Sequence, residues 1–82
     1  MLKATVYVTI KQNVLDPQGK AVQGALQSMG YNDVQSVRIG KYMELTLATD
    51  ERAEAERKVK EMCEKLLANT VVEDYRFDIH EG

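Results

Sequence analysis

The sequence predicts an α+β fold in which strands and helices follow one another as β-α-β-β-α-β. Three observations carry that expectation. Residues 2–11 alternate apolar and polar side chains without a break, the period of a strand with one face on a core. Two later stretches, 17–29 and 51–68, repeat apolar residues at spacings of three and four, the period of an amphipathic helix. Residues 34–48 and 71–79 return to alternation.

In the first strand Leu2, Ala4, Val6, Val8 and Ile10 share one face, and Lys3, Thr5, Tyr7, Thr9 and Lys11 the other. The first helix is expected from Pro17 to Met29. Asp16 accepts the unpaired N–H groups at its start, and Pro17 has no N–H to waste in the first turn. Val22, Ala25, Leu26 and Met29 form its apolar stripe, and Gly30 suits the left-handed residue that ends a helix.

Val37 and Ile39, then Met43, Leu45 and Leu47, predict two strands joined near Gly40-Lys41. A two-residue turn there would pair Ile39 with Tyr42 and mix the faces. A bulge or three-residue turn at Gly40 pairs Ile39 with Met43 and Val37 with Leu45, and keeps one apolar face.

The second helix is expected from Glu51 to Ala68, capped by Thr49 or Asp50. Ala55, Val59, Met62, Cys63 and Leu66 make its buried stripe, with Leu67 at the margin and Asn69 as a left-handed exit. Tyr75, Phe77 and Ile79 share a face of the last strand. Right-handed crossovers then give a four-stranded antiparallel sheet with both helices on one face, the ferredoxin-like plan.

Eighty-two residues suit one domain, 1–82, and a chain this small commonly gains stability by oligomerising. A net charge of −2 argues against nucleic acid, which calls for a clustered basic face. Cys63 is the one cysteine, so no internal disulfide forms, and a reducing compartment fits. No apolar run is long enough to span a membrane, and the first residues have no signal-peptide plan. The cytoplasm is the expected location.

Catalytic constellations find little support. Residues 11–19 hold no Cys-x-x-Cys for a soft metal, and no arginine for an acylphosphatase-like anion loop. The polar sheet face lacks the basic-flanked aromatics of an RNA-binding sheet. No phosphate-binding glycine motif occurs, and no pair of carboxylates is forced together.

Three features remain. Residues 14–20, Val14-Leu15-Asp16-Pro17-Gln18-Gly19-Lys20, put apolar residues in a loop and a capped helix start beside them. They read either as a plain helix entry or as a docking element. Arg38-Ile39-Gly40-Lys41-Tyr42 brings two cations to one expected turn, either a solvated tip or a patch for a partner's carboxylate or phosphate. The polar sheet face, with Thr5, Tyr7, Thr9, Glu44 and Thr46, reads either as wet or as covered by a partner.

Tyr7-Val8-Thr9-Ile10-Lys11, the Leu-Asp-Pro-Gln-Gly run at 15–19, Ala21-Val22, Gly30-Tyr31, Val37-Arg38-Ile39-Gly40-Lys41-Tyr42 and residues 62–69 together resemble the PurS family. That family is the small subunit of phosphoribosylformylglycinamidine (FGAM) synthase. The resemblance covers almost the whole chain. It implies a non-catalytic homodimer that bridges a glutaminase subunit and a large synthetase subunit and helps ammonia pass between them. It implies no cofactor on this chain, with ATP and magnesium used by the complex. On this reading Asp16, Pro17, Gln18, Gly19, Arg38, Gly40 and Lys41 are contact or positioning residues, the two cations meeting partner carboxylates. An edge strand, 34–39 or 71–79, is expected to pair or pack across a two-fold axis. The alternative is a dimeric module that senses an amino acid or nucleotide at the joint between two copies.

Overall fold

A computed structural model describes all residues from Met1 to Gly82. The elements are β1 (Leu2–Ile10), α1 (Pro17–Ser28), β2 (Gly40–Leu47), α2 (Arg52–Met62) with a π-helical turn (Cys63–Leu67) at its end, and β3 (Glu73–Glu81). The strands form an antiparallel sheet of three, in the order β2-β1-β3. The plan is β-α-β-α-β, and the fourth strand expected over residues 34–39 does not form.

The expected hairpin at Gly40 is absent as well. Gly40 is the first residue of β2 and pairs with Thr9, while Tyr42 pairs with Tyr7 and Met43 with Val6. Residues 34–39 run straight into β2. Side chains supply the hydrogen bonds that a ladder would have supplied. Gln23 Nε2 donates to the carbonyls of Val34 and Gln35, Gln27 Nε2 donates to Val34, and the N–H of Ile39 donates to Asp16 Oδ2 at 2.9 Å. A segment so tied along α1 has no need of a neighbouring strand. The alternation of Val37 and Ile39 therefore marks a half-buried extended segment, not a paired strand.

β1 is the centre of the core. Ala4 and Val6 are fully buried, and Val8 nearly so. α2 lies across β1 and β3 and brings Ala55, Val59 and Cys63 down onto them, all three without exposed surface. The inner residues of β2, Met43, Leu45 and Leu47, flank this cluster and stay half-buried.

α1 starts and stops as expected. Asp16 Oδ1 accepts the N–H of Gly19 at 3.0 Å, and Pro17 is the first helical residue. At the other end Gly30 has φ +99°, and the N–H groups of Gly30 and Tyr31 return to the carbonyls of Gln27 and Leu26. Those two bonds are the Schellman closure. α1 does not pack on the sheet, however, so the expectation of two helices on one face is not met. Val22, Met29 and Tyr31 are exposed, and Gly19 is the one buried residue of the helix. The molecule measures 48 × 26 × 14 Å, with a radius of gyration of 16.1 Å. A compact chain of this length would give roughly 12 Å. The excess records a helix standing away from the body.

The second helix differs from expectation at its end. Thr49 Oγ1 accepts the N–H of Glu51, and the helix proper begins at Arg52. After Met62 the winding loosens, and the N–H of Ala68 reaches back five residues to Cys63 at 2.9 Å. A π turn holds more residues per turn than an α turn and rotates everything after it. Leu67 and Ala68 swing inward, while Leu66, expected in the stripe, is 82% exposed. Met62, the last residue before the turn, is also partly exposed, contrary to its expected place in the stripe. Asn69 is not left-handed, since no residue but Gly30 has positive φ. Its side chain instead accepts the N–H of Val71, and its N–H donates to Glu73.

Candidate functional site

The junction between β1 and α1 is where the sequence motifs meet the unusual geometry. Asp16 is a buried carboxylate that holds two parts of the chain at once. One oxygen takes the Gly19 N–H inside α1, and the other takes the Ile39 N–H at 2.9 Å from the segment before β2. The Ile39 bond, and then the Gly19 bond, hold the Asp16 carboxyl below the usual carboxylate range. It stays ionised as a two-sided clamp.

Gly19 makes the clamp possible. A Cβ there would run into the carbonyl oxygen of Val37 and stand 2.9 Å from Asp16 Oδ2. Gly40 has a similar duty at the sheet, where a Cβ would collide with the carbonyl oxygen of Val8. Neither glycine has a positive φ, so close approach explains both. Pro17 and Gln18 sit exposed on the first turn of α1.

The structure separates the two cations that the sequence placed at one turn. Lys41 lies in β2 opposite Val8, on the helix side of the sheet, and pairs with Glu73 at 3.7 Å. Arg38 Nη1 donates to the carbonyl of Ile10 at 3.3 Å and lines a cleft of about 440 Å³. Lys11 and Lys20 line the same cleft, together with Val14, Leu15 and Asp16. Lys20 belongs to the 14–20 run singled out in the sequence, but neither it nor Lys11 was among the expected contact residues. Their signal was present, one cation at each end of the 12–19 loop, but only the tying of 34–39 to α1 brings Arg38 to join them.

On the opposite face of the sheet Tyr7 is the centre. Arg76 stacks over its ring at 3.9 Å, Tyr42 meets it edge-on with centroids 5.6 Å apart, and Thr5 bonds His80 at 3.1 Å. No group of three or more His, Cys, Asp or Glu residues is placed to hold a metal ion. Cys63 is buried against the sheet, which pushes its thiol up and away from reactivity.

The family model of PurS, phosphoribosylformylglycinamidine (FGAM) synthase, matches residues 3–81. The chain belongs to the PurS family. It is 64% identical over 81 residues to the PurS subunit of Bacillus subtilis, covering 99% of this chain and 95% of that one. Its fold matches the crystal structure of B. subtilis PurS with a TM-score of 0.88, over 99% of this chain and all of the other. It also matches a chain in the structure of PurLQS from Thermotoga maritima at 31% identity and a TM-score of 0.84, over 98% and 99% of the two chains. Both matches run through the β1–α1 junction and α1 itself. As a member of this family the chain is a subunit of FGAM synthase, a ligase complex of purine biosynthesis.

Proposed function

We propose that this chain is the non-catalytic joining piece of its complex, a homodimer that bridges the glutaminase and synthetase subunits and keeps ammonia out of water between them. Residues 1–82 act as one unit in this role. ATP and magnesium serve the synthetase, not this chain, and the assembly works in the cytoplasm. One observation carries the reading: α1 presents an apolar stripe that its own chain leaves uncovered. Val22 and Met29 are exposed, while Met43, Leu45 and Leu47 are only half-buried because α2 covers the inner face over β1 and β3 and not over β2. A second copy's α1 fits that gap. Each protomer then supplies the helix that its partner's sheet lacks, an exchange that a two-fold axis closes.

The buried and bonded groups at the β1–α1 junction act as clamps, as a joining piece requires. Asp16, Pro17, Gln18 and Gly19, with Arg38 and Gly40, shape the loop and segment beside α1, and Lys41 reaches across β1 to Glu73 of β3. Assemblies that shut water out protect a nucleophile in transit, because protonated ammonia cannot attack. The test is reconstitution. The glutaminase and synthetase subunits are assayed for glutamine-dependent and ammonia-dependent product with and without this chain. The chain should be required for the first and dispensable for the second. Equal glutamine-dependent rates in its absence would overturn the proposal.

A further inference from the structure

The chain as a whole is acidic, with a net charge of −2, yet one cleft is basic. Lys11, Lys20 and Arg38 line it, and Asp16 is its one carboxylate. That carboxylate is spent on the backbone N–H groups of Gly19 and Ile39. Lys11, Lys20 and Arg38 form no ion pair, and the side-chain hydrogen bond of Arg38 goes to the Ile10 carbonyl. Elsewhere Lys41, Lys58, Lys65 and Arg76 each have an acidic partner within 4 Å. Lys3, Arg52, Arg57 and Lys60 lack one as well, so an unpaired cation is common on this surface. What sets the cleft apart is that three such cations gather around one concavity whose single carboxylate is already engaged.

The three come from different places. Lys11 follows β1, Lys20 is in the first turns of α1, and Arg38 belongs to the tied segment before β2. Their spacing is held by the Asp16 clamp and by Gln23 and Gln27, which fasten residues 34–35 to α1. Beside them Leu15 is 73% exposed, an apolar side chain at the edge of a charged cleft. A free inorganic anion has no use for Leu15. A protein segment carrying carboxylates beside an apolar residue uses all four groups.

Resting on the bridging role above, we infer that this cleft is the docking site for an acidic segment of a protein partner, read by Lys11, Lys20 and Arg38 with Leu15 as the apolar anchor. Complementary charge at such a site mainly speeds encounter and fixes orientation. The occupant is then a loop or chain end rich in Asp and Glu on one of the two larger subunits.

The experiment measures association of the whole chain with each larger subunit across a range of salt. The triple variant Lys11→Glu, Lys20→Glu, Arg38→Glu should associate with one of them about tenfold or more slowly at low salt, with the gap closing at high salt. A control variant, Lys58→Glu with Lys60→Glu on α2, should keep the native rate. A polyglutamate peptide should slow the native chain and leave the triple variant untouched. Should the reversed charges disturb folding, the set Lys11→Gln, Lys20→Gln, Arg38→Gln tests the same point with a smaller change. If a folded variant joins both subunits at the native rate at every salt concentration, the docking inference falls while the bridging role stands. If the native chain binds neither subunit, both fall.

Discussion

The two helices of this molecule are of similar length and opposite character. α2 is mostly charged, yet it puts Ala55, Val59 and Cys63 fully out of water against β1 and β3. α1 is the more apolar of the two and buries only Gly19. It is held by hydrogen bonds, from Asp16 at its root and from Gln23 and Gln27 along its length, instead of by packing on the sheet. Helical stability in proteins comes mostly from tertiary packing of an apolar face. With good caps and little such packing, the twelve residues of α1 leave most of their apolar stripe in water. The contrast separates a helix that builds the core from one that stands outside it, the helix to which the proposed function gives the assembly.

The two close-approach glycines probe that contrast most strongly. Gly40→Ala drives a methyl into the carbonyl of Val8, in the central strand, which is paired on both sides and cannot move. The expected loss is on the order of 3 kcal/mol in urea unfolding. Gly19→Ala drives a methyl into the carbonyl of Val37, in a segment with no ladder to hold it. That segment can peel away, so the expected global loss is about 1 kcal/mol, with amide exchange rising at Ile39 but not in β1. Equal losses, with exchange rising across the whole sheet in both variants, would make the two regions one cooperative unit.

Truncations on each helix carry the comparison into assembly. Val59→Ala removes a fully buried side chain and should cost about 2 kcal/mol at any protein concentration. Leu26→Ala, on the half-buried stripe of α1, should leave the dilute chain's unfolding nearly unchanged and raise the dimer dissociation constant about tenfold. Sedimentation equilibrium reads the second effect. A stability loss from Leu26→Ala that does not depend on concentration would mean that α1 packs within its own chain.

Acid should loosen α1 before the sheet. The Asp16 carboxyl is held below the ordinary aspartate value of 3.8 by the N–H groups of Ile39 and Gly19. A group with a lowered folded pKa contributes stability above its unfolded pKa and loses it as pH falls through its folded one. The native chain should therefore lose amide protection at Ile39 as pH drops below about 4. Asp16→Asn should start with that protection weakened and show no such step. A step of equal size in the Asn variant would assign the titration to another group.

How much of this was legible in the sequence divides along the same line. The β1 face, the Asp16 cap, Pro17 and the Gly30 exit are local patterns, and all four stand as read. Residues 34–39 failed because alternation reports only a half-buried extended chain. Whether it finds a strand or is tied by Asp16, Gln23 and Gln27 is a long-range fact. The stripe of α1 was read correctly as apolar, but the expectation that α1 lies on the sheet beside α2 failed, because periodicity does not say what a helix face packs on. In the candidate site, Asp16, Gly19 and Arg38 do come together, but Lys41 leaves for Glu73, and Lys11 and Lys20 take its place at the cleft.

The smallest expected effect is the sharpest test of α2. In an unbroken α-helix Leu66 would sit three residues after Cys63 and seven after Val59, on the buried stripe. Leu66→Ala would then cost about 2 kcal/mol or more. The π turn at Cys63–Leu67 rotates Leu66 into solvent and brings Leu67 inward. With that turn in place Leu66→Ala should change stability by less than about 0.5 kcal/mol, while Leu67→Ala should cost a clearly larger amount. Urea unfolding of the two variants side by side decides the matter, because only the order of the two losses is needed. Should Leu66→Ala be the more damaging, the helix winds evenly to its end, and the exposed leucine belongs back in the core.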